Sequence, residues 1–309
     1  MSSKVLIAVV GPTAIGKTAL GILLAKHFKS EIVSADSRQF FKEMEIGTAV
    51  PSSEELKAVP HHFIQHKSIF EPYSVGDFEK ETIALLNALF QKMDVAIMVG
   101  GSGLYVDAVV SGLDEFPDVD PKTRESLNER LEKEGLKSLQ DELKKRDPAY
   151  YHIVDLENPH RLIRALEVCI TANKPYSSFL NQNKPQRAFK TLYVGIEAPR
   201  ETIYERINTR VDLMMEAGLL EEAKKLHPHK HLNALQTVGY KELFEYLDGH
   251  CSLEIAVSEI KKNTRRFAKR QLTWLRKNEN ILWVNHDTKP TDILTAVSDQ
   301  LKILHHDQD

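Results

Sequence analysis

The sequence predicts an α/β fold in which helices flank a parallel β-sheet core and a helical domain is inserted between strands. Apolar, β-branched runs at 4–10 and 94–99 are typical of strands buried on both faces. Each run is followed by glycines or polar residues and then by sequence with helical periodicity. The tract 115–186 is charged and helical, and strand character returns only at 191–197. These patterns favour a sheet core that is interrupted by helices.

The elements are predicted in a regular order along the chain. Four strands joined by helices are expected to form the sheet, and a strand at 280–285 with a helix at 291–304 to close it. Gly- and Pro-punctuated segments at 46–51 and 59–63 indicate loops. Helices are predicted at 19–29, 78–89, 121–134, 136–146, 159–172, 200–217 and 259–277.

Length and composition limit the protein class. A chain of 309 residues exceeds the usual size of one domain, so we expect a catalytic core at 1–114 and 187–309 and a helical insertion at 115–186. The 42% apolar content is ample for a packed interior. Because the formal net charge is -3, the whole chain is not a basic nucleic-acid binder, although one face could be.

The cysteines and histidines do not indicate a metal module. Cys169 and Cys251 are far apart and form no C-x-x-C spacing, which suits a reducing compartment. The histidine groups at 61–62 and 227–231 lack a ligand spacing with a carboxylate partner. The sequence shows no charged-then-apolar leader and no run long enough to span a membrane. We therefore expect a cytoplasmic protein without a membrane partner, and a monomer by default.

The segment after the first strand fits the phosphate-loop pattern G-x-x-x-x-G-K-[ST]. Its glycines let backbone N–H groups approach phosphate oxygens, and the following helix presents a partially positive N-terminus. Lys17 adds a full charge, and Thr18 a hydroxyl suited to Mg²⁺. A chance match is the alternative, but strand, loop and helix occur in the required order. The predicted diphosphate-binding residues are Gly11, Pro12, Thr13, Ala14, Ile15, Gly16, Lys17 and Thr18.

Asp36 follows the second strand, at the sheet edge where ligands bind in open α/β folds. It could hold Mg²⁺ or accept a proton from a nucleophile, and a helix N-cap is the structural alternative. The adjacent Arg38 makes a purely capping role less favoured. The third strand ends in the glycine-rich turn 100–103, where a typical NTPase has a Walker-B aspartate. ATP hydrolysis is therefore disfavoured.

Several cations fall at helical spacing. Arg161 and Arg164 are three residues apart, and could be surface charges or a clamp for an anion. The segment 259–277 places eight cations on one helix face with no acid between Glu259 and Glu279. A solvated face, a membrane surface or an acidic partner would explain it, but RNA is the most economical partner beside a phosphate loop. Gln271 lies in the apolar face, which suggests a buried hydrogen bond.

Taken together, the motifs resemble those of the bacterial tRNA dimethylallyltransferases, also called tRNA isopentenylpyrophosphate transferases. The chain departs from the family pattern at Ile15 in place of Ser, Val50 in place of Lys, Ser102 in place of Thr, and 63–65, where Gln65 removes a carboxylate. The matching segments are GPTAIGKT at 11–18, SADSRQ at 34–39, IGTAVP at 46–51, VPHH at 59–62, VGGSGLYV at 99–106, NPHRLIRALEV at 158–168, QTVGYKE at 236–242 and KRQLTWLR at 269–276.

The resemblance implies transfer of a dimethylallyl group from dimethylallyl diphosphate to N6 of the adenosine 3′-adjacent to the anticodon, with release of diphosphate. It implies that Asp36 accepts the N6 proton, that Ser102 and Arg210 steady the leaving group, and that Mg²⁺ is the cofactor, with Thr18 as its ligand. The expected partner is the tRNA anticodon stem-loop. The residues that would bind it are Asp36, Ser37, Arg38, Gln39, His160, Arg161, Arg164, Gln236, Gly239, Lys269, Arg270, Gln271, Trp274 and Arg276.

Three other functions stay open at this point. A P-loop small-molecule kinase would need ATP and would leave the basic helix unexplained. An enzyme that prenylates free adenine nucleotides would not need the cations assigned to tRNA. A non-catalytic RNA-binding protein would tolerate the loss of Asp36 with no change beyond affinity.

Overall fold

The computed structural model describes residues 4–180, 182 and 185–306. The chain divides into two compact units, one comprising Met1–Val110 with Arg187–Asp309 and the other Ser111–Gln186. The larger unit is an α/β sheet core and the smaller one is helical, so the predicted fold class is confirmed. Among the described residues, no helix has the length and apolar character needed to cross a bilayer.

The described part of the larger unit contains one parallel sheet with six strands in the order β3-β2-β4-β1-β5-β6. Strand β1 is central and pairs with β4 and β5, with Val5 opposite Val95 and Lys190. Because the strands are parallel, the loops after β1, β2 and β4 emerge at the same edge. The strands are β1 (Val5–Val10), β2 (Ile32–Ser34), β3 (His61–His62), β4 (Val95–Val99), β5 (Lys190–Glu197) and β6 (Ile281–Asn285).

The helices cover both faces of this sheet and fill the smaller unit. Ser52 and Ser74 begin α2 and α3 with capping boxes, since each serine hydroxyl accepts from a backbone N–H while the third helical residue's carboxylate reaches back. The helices are α1 (Lys17–Phe28), α2 (Ser53–Ala58), α3 (Val75–Leu89), α4 (Gly103–Ser111), α5 (Pro121–Glu134), α6 (Leu136–Arg146), α7 (Pro148–Tyr151), α8 (Pro159–Ala172), α9 (Arg200–Glu216), α10 (Leu219–Leu226), α11 (Tyr240–Leu247), α12 (Leu253–Leu275) and α13 (Pro290–His306).

Strand β1 has apolar residues throughout because both faces of the sheet are covered. Leu6 and Ala8 pack in a cluster that contains Tyr240. Val5 and Ile7 pack in the cluster on the other face. Since alternate residues face opposite sides of a strand, a strand between two apolar clusters cannot alternate with polar residues. This arrangement fixes the position of the loop that follows β1.

Two predictions about elements are wrong. The segment at 59–63 was expected to be a loop, but His61–His62 form an edge strand beside Ile32 and Val33. Two residues are too few to show a periodic pattern. The basic helix was expected to begin at 259, whereas α12 begins at Leu253, because the Ser252 hydroxyl caps it. The helices predicted at 121–134, 136–146 and 159–172 have the observed bounds.

The smaller unit contains an ion cluster in which two partly exposed arginines bind the buried carboxylate of Glu167. Arg124 donates two hydrogen bonds to its carboxylate at 2.6 and 2.7 Å, and Arg164 donates a third at 2.6 Å. Burial raises the pKa of Glu167, but the bonds from the two arginines outweigh it and the net pKa is lowered. The Arg164 guanidinium also lies 4.9 Å from the centre of the Phe116 ring. Arg164 is therefore paired within the smaller unit although it is partly exposed, whereas Arg161 is exposed, and contact of either with tRNA stays a prediction.

Candidate active site

A cavity of about 1070 Å³ opens at the carboxyl edge of the sheet. Its size lies at the upper end of the usual range for ligand pockets, about 300–1,000 Å³. All of its lining residues belong to the larger unit. Most of the lining comes from the phosphate loop at 13–18, the turn 36–39, the loop 47–52, the segments 99–105 and 236–241, and helices α9 and α12.

The phosphate loop runs from the end of β1 into α1. Gly16 is the N-cap of α1, and its φ of 107° lies in the left-handed region that favours glycine. Ala14 is also left-handed, with φ of 63°. The Lys17 ammonium donates a hydrogen bond to the Pro12 carbonyl at 2.8 Å, within the same loop. The Thr18 side chain is half-buried, and Thr18 lines the same cavity.

Ile15 replaces the serine expected at this point of the loop. Its side chain is 2% exposed and packs in the apolar cluster that contains Ile203 and Ile207 of α9. Its carbonyl accepts a hydrogen bond from the Arg206 guanidinium at 3.1 Å. A hydroxyl is lost, but the apolar side chain and Arg206 anchor the loop to the core.

Gln271 joins the phosphate loop to the turn after β4. Its side-chain oxygen accepts from the Thr13 N–H at 2.9 Å, and its amide nitrogen donates to the Gly101 carbonyl at 2.9 Å. The side chain is buried, so the expected buried hydrogen-bonding role is confirmed. Both ends of the amide are bonded to the protein, and contact with tRNA stays a prediction.

The glycines after β4 are required for close packing, since none of them has a positive φ. A Cβ on Gly100 would lie 2.4 Å from the Ala35 carbonyl oxygen, and one on Gly101 would lie 2.2 Å from the Gln271 amide nitrogen. A Cβ on Gly103 would lie 2.5 Å from the Trp274 indole. Real Cβ atoms do not approach that closely, so each position excludes larger residues. The glycines thereby bring β2, β4 and α12 together at the cavity.

Asp36 lies in a turn and not at the start of a helix, so the N-cap alternative is wrong. Its carboxylate accepts a hydrogen bond from the Arg38 backbone N–H at 3.1 Å, a local turn contact. The negative charge of Asp36 favours the protonated forms of two cations of the cavity, Lys17 and Arg210, and so opposes the lowering of their pKa values by burial. The acid and these two cations therefore share one electrostatic environment.

Burial dominates the pKa values of the cavity's cations. Desolvation lowers the pKa of Lys17 to about 8, with Asp36 opposing and Arg210 assisting the shift. Burial also lowers the pKa of Arg210, against the opposing charges of Asp36 and Glu55. A bound anion would supply the negative charge that these groups lack.

Ser102 is connected to the turn that carries Asp36. The Ser37 N–H donates to the Ser102 hydroxyl at 3.2 Å, and the two hydroxyls are 3.2 Å apart. The Gln39 amide donates to the Thr48 and Ala49 carbonyls at 3.2 and 2.9 Å. The turn 36–39 is thus hydrogen-bonded to two other segments that line the cavity, the one containing Ser102 and the loop 47–52.

The remaining predicted tRNA contacts are placed as follows. Arg38 donates to the Ala234 carbonyl at 2.9 Å, and Gln236 donates to the Lys230 carbonyl at 2.5 Å. Gly239 is left-handed with φ of 102°. Arg38, Gln236, Gly239, Arg270 and Trp274 line the cavity. His160, Arg161 and Arg164 belong to the smaller unit, and Lys269 and Arg276 are exposed on or beside α12.

Part of the basic face predicted for α12 is engaged within the protein. Lys261 forms an ion pair with Asp212 at 2.5 Å, and Arg265 donates to Asn208 at 2.7 Å. These partners come from α9, so a search of the basic segment alone could not reveal them. Lys269 and Arg270, one turn further on, are exposed. The accessible positive charge is concentrated at the C-terminal half of α12.

Sequence reasoning missed Asp107 and Glu222. Asp107 accepts a hydrogen bond from the Trp274 indole at 2.8 Å and so fixes α12 against α4. A lone acid in the apolar helix 103–111 was a signal that could have revealed it.

Glu222 accepts from three backbone N–H groups of the loop 45–47. Its own helix carries several other charges, so local sequence gave no signal.

The residues present fit a magnesium ion that is held jointly with a bound phosphate. Among the described residues, no group of three or more His, Cys, Asp or Glu side chains could hold a metal by itself. Thr18 and Asp36 both line the cavity. Mg²⁺ is commonly bound by one or two protein oxygens together with substrate phosphates and water, and this donor set is of that kind.

Comparison with known proteins establishes the family. A model of the IPP transferase family matches residues 39–278, which is most of the chain. The chain belongs to the IPP transferase family. Its match includes the glycine turn, α9, α12 and the smaller unit, and begins just after Asp36.

Relatives and solved structures agree with this assignment. The chain is 60% identical to tRNA dimethylallyltransferase of Christiangramia forsetii over 97% of this chain and 99% of that protein. It is 58% identical to the protein of the same name from Flavobacterium johnsoniae. The structure of a tRNA isopentenylpyrophosphate transferase from Bacillus halodurans is 36% identical with a TM-score of 0.72, and 97% of each chain is covered. A eukaryotic dimethylallyltransferase acting on tRNA is 26% identical with a TM-score of 0.81, covering 98% of this chain and 80% of that one.

The lowered pKa of Lys17 predicts a pH dependence of diphosphate binding. The protonated amine attracts the anion, so affinity for a diphosphate ester should be constant below about pH 8 and fall as pH rises through that value. The fall should approach about tenfold per pH unit, as expected for one required proton. Titration calorimetry between pH 6.5 and 9.5 would measure it.

Lys17→Arg is the control for this prediction, because its guanidinium stays charged throughout that range. Binding by this variant should not weaken above pH 8, even if it is weaker overall. Equal pH profiles for the two proteins would contradict the assignment to Lys17.

Proposed function

We propose that the protein transfers the dimethylallyl group of dimethylallyl diphosphate to N6 of the adenosine 3′-adjacent to the anticodon in tRNA, releasing diphosphate. The observation that carries the proposal is one cavity in which a phosphate loop adjoins Asp36, with no acid in the turn after β4. Such a site can hold a diphosphate and accept a proton. Membership of the IPP transferase family supports the same reaction.

The phosphate loop would bind the diphosphate as a leaving group. Backbone N–H groups at the start of α1, together with Lys17 and Arg210, would stabilise the charge that grows as the bond between carbon 1 and the bridging oxygen breaks. Ser102 would donate a hydrogen bond to that oxygen. Mg²⁺, held by Thr18 and the diphosphate, would supply further charge neutralisation.

Asp36 would accept the proton that N6 loses as it forms its bond to carbon 1. The electron pair of the broken bond leaves with the diphosphate, so the exchange is balanced without an oxidant or reductant. An exocyclic adenine amine is a weak nucleophile, and its alignment with the allylic carbon provides much of the rate increase. The adenosine must leave the stacked anticodon loop to enter the cavity.

Exposed cations of both units would bind the RNA backbone. Lys269, Arg270 and Arg276 lie at the C-terminal half of α12 or directly after it, and Arg161 is exposed on the smaller unit. Contact of this helical insertion with tRNA is part of the proposal. Arg164 would contribute through the structure of the insertion, since its guanidinium is bonded to Glu167.

The deciding measurement is diphosphate release from dimethylallyl diphosphate and Mg²⁺ with and without an unmodified tRNA that has adenosines beside its anticodon. We expect release to require the tRNA, and the RNA mass to increase by one dimethylallyl group. Transfer to free adenosine monophosphate would favour the adenine-nucleotide prenyltransferase. Consumption of ATP with a small molecule, and no prenyl transfer, would favour the kinase.

Asp36→Ala should lower turnover by about 10²-fold or more, because a general base contributes that much. Binding of tRNA, measured by filter retention, should change little, because the exposed cations are intact. Asp287→Asn is the control, since Asp287 is an exposed acid after β6. Full activity of Asp36→Ala would exclude Asp36 as the proton acceptor.

Lys269→Gln should weaken tRNA binding and reduce its salt dependence by about one unit of slope, as expected for one lost phosphate contact. Lys261→Gln removes the same charge from the same helix, but Lys261 is paired with Asp212. That variant should keep the original slope. Affinity measured at several salt concentrations tests both, and equal slopes for the two variants would refute the proposed RNA surface.

A further inference from the structure

The carboxylate of Glu222, on α10, receives four hydrogen bonds. One oxygen accepts from the backbone N–H groups of Glu45 and Ile46 at 3.1 and 2.9 Å. The other accepts from the Gly47 N–H at 2.9 Å and from the Tyr240 hydroxyl at 2.6 Å. Two oxygens have about four acceptor sites, so these donors fill the carboxylate.

Three of the four donors belong to a loop that forms a wall of the cavity. Gly47, Thr48, Ala49 and Val50 line the cavity. Within the loop the Thr48 hydroxyl donates to the Met44 carbonyl at 2.7 Å, and Ala49 takes a left-handed φ of 51°. A non-glycine residue in this conformation is held there by its surroundings.

Tyr240 makes the attachment to Glu222 rigid. Its side chain is fully buried, and its ring carbon would lie 2.6 Å from a Cβ at Gly47. The loop therefore packs directly on the ring. Burial and the charge of Glu222 raise the pKa of Tyr240, so its hydroxyl remains a donor at neutral pH.

The loop is connected in turn to the segment that carries Asp36. The Gln39 side chain donates to the Thr48 and Ala49 carbonyls, and the Gln39 N–H donates to the Asp36 carbonyl at 3.0 Å. A continuous set of hydrogen bonds thus runs from α10 through the loop to the acid. The Glu222 side chain holds three consecutive N–H groups of this loop.

We propose that Glu222 is a positioning residue: it fixes the loop 44–50 and, through Gln39, the turn that carries Asp36. The effect on catalysis rests on the proposed function, whereas the effect on the loop does not. Loss of the carboxylate lets the wall and the acid move relative to the phosphate loop. Since misplacement of a reacting group by about 1 Å can cost 10²-fold, this should lower kcat.

Glu222→Gln tests the proposal in the full chain. The amide nitrogen cannot accept a hydrogen bond, so two of the four donors lose their acceptor. We expect kcat for prenyl transfer to fall about tenfold, less than the 10²-fold that a displacement of about 1 Å can cost, with KM for tRNA within about twofold. Hydrogen exchange measured by mass spectrometry should become faster in peptides covering 44–50 and 36–39.

Glu221→Gln is the matched control, because Glu221 is the preceding residue on the same helix and is paired with Lys224 on the surface. It should leave both kcat and exchange at wild-type values. Tyr240→Phe retains the ring and removes one donor, so it should give a smaller change of the same kind. This second variant keeps the proposal testable if Glu222→Gln fails to fold.

Faster exchange with unchanged kcat would show that Glu222 is structural and would refute the positioning role. Unchanged exchange in Glu222→Gln would refute the attachment of the loop itself. Absence of prenyl transfer by the wild-type protein would instead contradict the proposed function, and the exchange comparison would still decide whether Glu222 holds the loop.

Discussion

The two hydrogen bonds of the Gln271 amide are the interaction on which the cavity depends. They connect Thr13 of the phosphate loop to Gly101 after β4, and both are 2.9 Å long. The contact exists because Gly101 has no side chain, since a Cβ there would lie 2.2 Å from the amide nitrogen. A buried amide that lost one partner would leave an unpaired polar group, which costs about 1–3 kcal/mol. The position of α12 therefore depends on the glycine turn after β4, because a larger residue at 101 would displace Gln271.

The second constraint is electrostatic. Lys17 and Arg210 are cations whose pKa values are lowered by burial, and Asp36 offsets that shift in both. Removing charges from water is unfavourable unless they are paired. A bound diphosphate would supply the missing negative charge. Lys17 and Arg210, which lower the stability of the free protein because they are buried, would then stabilise the complex. The stability lost by burying these cations thus favours binding of an anion at this place.

The sequence predicted the fold class, the three long helices of the insertion and the buried role of Gln271, because each depended on local pattern or on one conspicuous residue. It did not predict β3, whose two residues pair through the backbone. It also did not show that Lys261 and Arg265 are paired within the protein, since their partners Asp212 and Asn208 come from a helix more than forty positions earlier. Contacts between distant segments leave no periodic signal, and Glu222 is the clearest case.

The distribution of acids around the phosphate loop explains why the same loop type can serve a different reaction. Phosphoryl transfer needs an acid or metal near the terminal phosphate, and NTPases often place an aspartate after the strand beside β1. Here that position carries glycines that admit Gln271 and Trp274. Asp36 instead follows β2, where the Arg38 N–H and the Ser37–Ser102 contact orient its turn. In the proposed reaction Asp36 accepts the proton of the incoming amine, while the phosphate loop and the cations stabilise the charge of the leaving diphosphate. The glycines after β4 take the place of a second acid. Because they have no side chains, α12 packs closely against them, and the exposed cations of α12 would bind the RNA.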